Sequence, residues 1–171
     1  MTREPGSITR PDPFAFFLTW TTYGSWLPGD ARGWTDSRGG LRAPSQPLRA
    51  SLAHRLRVAE VVLTASDRRC VEVSIAEVCR IRTWHLHAVT CRLQHVHAVV
   101  TAPHHAPPQV MQQLKGWASR SLDSQRISMH HPPSRRRWWT RGGSTRLVRE
   151  GADLDTVIRY VRECQDSGRY E

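Results

Sequence analysis

Apolar and polar positions change period several times along the chain, and each change marks an element. Residues 14–20 (FAFFLTW) are mostly aromatic and apolar, which predicts a buried strand. A long loop rich in Gly, Trp, Asp and Pro follows, with one short helix predicted near 51–59. Thr64 and Asp67 have the spacing of a capping box, and Val71, Ile75 and Val78 then recur at spacings of four and three. That pattern predicts a helix ending before Trp84. Segments 84–91 (WHLHAVTC) and 95–102 (HVHAVVTA) alternate with period two around Arg92-Leu93-Gln94, which predicts an antiparallel hairpin. Pro107-Pro108 opens a second helix with Val110, Leu114, Trp117, Ala118 and Ser121 on its apolar face. After the basic loop Ser128–Arg137, Trp138–Val148 reads as an extended segment broken by Gly142-Gly143. A last helix over 153–166 buries Leu154, Val157, Ile158 and Val161. The order predicts an α+β fold, an antiparallel sheet with helices packed mainly on one face.

The 171 residues are expected to form one domain over 1–171, with 1–13 a polar, proline-bearing flexible tail. No apolar run approaches the ~20 residues that span a bilayer, so a cytoplasmic protein without a membrane partner is expected. Cys70, Cys79, Cys91 and Cys164 lack metal-ribbon spacing and read as reduced, mostly buried thiols. Charge changes the picture more. There are 25 Lys and Arg against 15 Asp and Glu, a formal +10, and Lys115 is the only lysine. Arginine forks onto phosphate and stacks on flat rings, which favours a nucleic-acid partner. Trp20, Trp26 and Trp34, in or beside the Gly-rich loop, read either as a local hydrophobic cluster or as stacking platforms for unpaired bases.

The candidate chemistry centres on His95-Val96-His97. Alternate strand residues share a face, so the two imidazoles can close on one metal ion while Val96 turns into the core. His85-Leu86-His87 on the neighbouring strand is a second such pair, and spacing alone does not choose between them. His104-His105 and His130-His131 lie beside prolines and read as surface residues. Nucleophile elbows and phosphate loops are missing. Among the tyrosines, Tyr160 alone sits within a firm helix, at the edge of its apolar stripe, where a hydroxyl can reach a site on the sheet.

These residues, with Leu114-Lys115-Gly116, Trp139-Thr140-Arg141-Gly142-Gly143 and Gln165, resemble the single-tyrosine HUH transposases. The likeness is closer to REP-associated tyrosine transposases and the insertion-sequence-200 group, and the opening FLTWTTYGSWLPGDARGW is similar to one branch of them. It covers about 14–166. The resemblance implies a ferredoxin-like HUH sheet and attack of Tyr160 on single-stranded or hairpin DNA, through a 5′-phosphotyrosine intermediate. It also implies a divalent metal, Mg²⁺ or Mn²⁺, on His95, His97 and a third ligand. In the family that ligand is commonly a Gln four residues after the tyrosine. Here position 164 is Cys and the glutamine is Gln165. At ~100° per residue, five steps separate side chains by ~140°, so Glu163 rivals Gln165. The family holds both monomers and dimers that share the tyrosine helix, which leaves a homodimer open.

Lys115, Arg120, Arg135, Arg136, Arg137, Arg141, Arg146 and Trp138 are expected to line a single-strand groove. Two other readings stay open: a nucleic-acid-binding module with an inactive site, and a relaxase or rolling-circle nickase.

Overall fold

A computed structural model describes residues 15–31, 33–35, 40–56, 59–130, 137–149 and 151–163. The expected tail 1–13, Arg135, Arg136, Cys164 and Gln165 lie outside these residues.

The elements follow the sequence pattern closely. They run β1 (Ala15–Thr21), β2 (Trp34–Thr35), β3 (Leu41–Arg42), α1 (Gln46–His54), α2 (Ala65–Ile81), β4 (His85–Cys91), β5 (His95–Thr101), α3 (Pro107–Ser128), β6 (Ser144–Val148) and α4 (Ala152–Glu163). The short helix begins five residues before its expected start, with Pro47 in its first turn. The capping box of α2 is complete: Asp67 N–H donates to Thr64 Oγ1 and Thr64 N–H to Asp67 Oδ2. Gln125 of α3 donates to the other carboxylate oxygen of Asp67, which ties the two long helices together.

β4, β5, β1 and β6 form one antiparallel sheet in the order β4-β5-β1-β6. Period-two alternation divides its two faces. Phe16, Leu18 and Trp20 of β1 and Val96, Ala98 and Val100 of β5 point into the larger core, against Val71, Ile75 and Val78 of α2 and Val110, Leu114, Ala118 and Leu122 of α3. The opposite face carries Ala15, Ala88, Val99 and Val148, which meet Val157 and Val161 of α4. The expectation of helices mainly on one face thus holds for α2 and α3, while α4 lies alone on the other side. His95 and His97 share that side, because they have the parity of Val99.

Buried thiols are inert packing groups here. Burial pushes Cys79 up to about 12 and raises Cys91 as well. Among the described residues no helix is long and apolar enough to cross a membrane.

The extended segment before β6 continues the sheet. Thr140 N–H donates to Thr21 O and Tyr23 N–H to Trp138 O. Gly143 permits the closest approach, since a Cβ there would lie 2.5 Å from Met111 Sδ and 2.7 Å from Thr19 O. Gly143→Ala is therefore expected to cost about 1–3 kcal/mol by overpacking. Gly142→Ala, with nothing within 4 Å of its Cβ position, is expected to change stability by less than about 1 kcal/mol. Urea unfolding of the two variants checks the difference.

Candidate active site

Antiparallel pairing sets the site. Thr19 of β1 is the Cα partner of His97, and Thr21 that of His95. Directly opposed side chains on one face stand about 5 Å apart, so each threonine stands beside an imidazole, while the Thr21 hydroxyl itself pairs with Thr140 Oγ1. Thr19 Oγ1 lies 2.9 Å from His97 Nδ1. With the proton on Nδ1, the ring donates to Thr19 and turns the Nε2 lone pair outward, the arrangement a metal-binding imidazole requires.

His97 is packed on several sides. The Phe17 ring stacks on it with centroids 5.7 Å apart and planes at 16°. The His95 ring meets it edge-on at 4.9 Å. Only 7% of His97 is exposed. Burial, with smaller contributions from His95 and Arg92, pulls its pKa down to about 4. The ring is accordingly neutral at physiological pH, as a metal ligand must be.

Tyr160 comes from α4. Its ring meets His97 at 6.1 Å and Phe17 at 6.1 Å, both edge-to-face. It remains 45% exposed, an accessible phenol at the margin of the small core. Tyr160 and His97 thus meet within one chain.

Two imidazoles backed by a threonine hydroxyl form an open donor set that suits a divalent cation taking its other ligands from elsewhere. Glu163 is the last residue of α4. Among the described residues no three or more His, Cys, Asp or Glu side chains gather to hold a metal. Gln165, the rival of Glu163 as third ligand, lies outside the described residues.

The second histidine pair sits elsewhere. His85 is opposite Thr101, four residues along β5 from His97, or about 13 Å at strand rise. Its ring meets His87 at 4.4 Å, and His87 Nε2 lies 2.8 Å from Thr101 Oγ1. A register irregularity between Leu86 and Ala88 interrupts the strand there. Of the histidines expected at the surface, His104 and His130 are exposed, His105 is half-buried against the Trp84 ring, and His131 lies outside the described residues.

Several residues expected on the DNA face have other roles. Trp138 is buried, donates its Nε1–H to Asp123 and is covered by the Arg126 guanidinium, so no ring face is left for a base. Lys115 donates to Thr140 O and Gly142 O, which pins the segment before β6. Its burial pulls the ammonium pKa down to about 8. Arg146 pairs with Asp153 at 2.6 Å. Arg137 and Arg141 are exposed, and exposed Arg120 lies over the half-buried Trp117 ring. Sequence reasoning did not single out Phe17 or Thr19 for the site. Their signal was the alternation within FAFFLTW, which places both opposite the buried Phe16, Leu18 and Trp20.

The depressed His97 pKa makes stability pH-dependent in the metal-free protein. An unfolded imidazole near 6.5 takes up a proton that the folded ring refuses until about pH 4. This contribution is present above the unfolded value and is lost as pH falls from about 6.5 toward 4, by up to about 3 kcal/mol. His97→Gln is expected to flatten that part of the profile in urea unfolding at stepped pH.

The family model for Transposase IS200 like matches residues 52–164. No curated protein matches the sequence. By structure, the chain is similar to a transposase candidate from Deinococcus radiodurans R1. That likeness has a TM-score of 0.50 and 15% identity, and covers 96% of this chain and 98% of that one. A REP-associated tyrosine transposase bound to a REP hairpin aligns with a TM-score of 0.45 and 12% identity, over 94% of this chain and 70% of that one. The match over residues 52–164 takes in both histidine pairs, β5, α3 and Tyr160, and on it the chain belongs to the IS200-like transposase family.

Proposed function

We propose that this transposase cuts and rejoins single-stranded or hairpin DNA with Tyr160 as nucleophile, beside a divalent cation held by His95 and His97. The observation that carries this reading is the contact between the Tyr160 and His97 rings of one chain, 6.1 Å between centroids. Tyr160 Oη attacks the scissile phosphorus, so that an Oη–P bond forms and the P–O3′ bond breaks. The phenol proton is lost and the departing O3′ takes one up. The phosphotyrosine conserves the bond energy, and a 3′-hydroxyl can attack it in turn to rejoin strands without a nucleotide cofactor.

A phenol is a poor nucleophile at neutral pH. Mg²⁺ or Mn²⁺, when bound, would offset charge on the scissile phosphate. The chain's own residues prepare the place for it. His97 is held neutral by burial and oriented by Thr19, while Phe17 fixes the plane of its ring and packs against Tyr160. Gln165 is the proposed third ligand, on the family resemblance. Arg120, Arg137 and Arg141 are the proposed phosphate contacts, with Arg135 and Arg136 from the same basic loop. Tyr160 meets His97 of its own chain, which supports cleavage in cis.

Tyr160→Phe is expected to keep DNA affinity within about twofold and to lose every covalent protein–DNA adduct. Denaturing gels of labelled single-stranded pools incubated with Mn²⁺ read this directly. An adduct formed by that variant removes Tyr160 from the mechanism, whereas DNA binding without an adduct in the unaltered chain leaves a binding module. His97→Ala is expected to abolish the metal-dependent adduct, and His85→Ala to retain most of it. Thr19→Val is expected to weaken metal affinity about 10–100-fold through the orientation of His97.

A further inference from the structure

A groove of about 380 Å³ runs beside β1 and is lined by Thr19, Thr21, Trp26, Pro28, Trp34 and Thr140, among others. We propose that it is a nucleobase subsite, in which Trp26 and Trp34 stack on an unpaired base of the strand whose phosphate lies at His95 and His97. This rests on the single-strand reading above and adds to it a place where the protein grips a base.

The three tryptophans of the opening region divide by environment. Trp20 belongs to the main core and is 1% exposed, but Trp26 is 45% exposed. The polar edges of both groove indoles are tied down, with Trp26 Nε1–H donating to Gly33 O at 2.9 Å and Trp34 Nε1–H to Ala43 O at 3.1 Å. An indole held by its edge presents a flat apolar surface in a fixed place, so little side-chain freedom is lost when a base stacks on it.

Position identifies the occupant. Thr19 touches His97 and Thr21 is the partner of His95, so groove and imidazoles share one border about 5 Å wide. A ligand bridging both places is anionic at one end and flat at the other, which describes a nucleotide. Across the groove, Thr140 is fixed by bonds to Thr21 and Lys115. Exposed Arg141 follows it, in a chain of net charge +10.

The test compares two labelled single strands of about twelve nucleotides, an oligothymidylate and its fully abasic counterpart, by fluorescence anisotropy on a Tyr160→Phe background that cannot cleave. The base-bearing strand is expected to bind roughly tenfold tighter. Trp26→Leu is expected to collapse that ratio toward one while affinity for the abasic strand stays unchanged, and Trp26→Phe to preserve most of it. An unchanged ratio in Trp26→Leu, or an equal loss on both strands, overturns the subsite. Trp34→Leu provides the same comparison should Trp26→Leu unfold early. A tenfold ratio in a protein that forms no adduct with Tyr160 intact sinks strand transfer and leaves the subsite standing. A ratio of one in a protein that forms the adduct does the reverse.

Discussion

The pairing of β1 with β5 decides where the candidate site sits. Thr19 opposite His97 places a hydroxyl beside the imidazole, and the same register sends Val96, Ala98 and Val100 into the large core. A slip of one residue would exchange the faces, burying both histidines under α2 and α3 and turning valines toward Tyr160. The slip is resisted by the apolar set of β5, because Val96, Ala98 and Val100 would have to leave the large core together. Hydrophobic pattern, more than any polar contact, therefore holds the site in register.

Much of this was legible in the sequence because strand parity is strict. His95 and His97 had to share a face, and Tyr160 had to lie at the edge of the α4 stripe. Family resemblance joined the two, a step that spacing could not make across the intervening α3. What stayed illegible depended on partners distant in sequence. Trp138 beside an arginine-rich loop looks like a stacking platform, but Asp123 takes its N–H and Arg126 covers its ring. Lys115, the sole lysine, looks like a phosphate contact until two carbonyls 25 and 27 residues away accept from it. The same ambiguity ran in the other direction for Trp26, whose exposure no local pattern could reveal. Tryptophan and lysine side chains are amphipathic, and composition does not say which of their halves the fold will use.

Lys115 and Gly143 show how a support for the site is built without touching the reacting atoms. The ammonium gathers the carbonyls of Thr140 and Gly142, and Gly143 then passes within van der Waals reach of Met111 and Thr19 O. Thr140 in turn hydrogen-bonds Thr21. A lysine on α3 thus reaches the strand that flanks the histidines through one short segment, which also borders the tryptophan groove. Burial depresses the Lys115 pKa to about 8, yet even a neutral amine still carries two hydrogens for its two acceptors.

The two cores divide the work unequally. On one side α2 and α3 bury long side chains and are joined by the Asp67–Gln125 bond, so the sheet is anchored without any help from the site. On the other side α4 rests on Ala15, Ala88, Val99 and Val148, small residues that let a helix lie close to the strands. Close packing is what brings a tyrosine within ring contact of an imidazole whose side chain rises from the sheet itself. Phe17 packs against the same cluster and meets Tyr160 edge-on, so one bulky ring links α4 to the His97 side of the sheet.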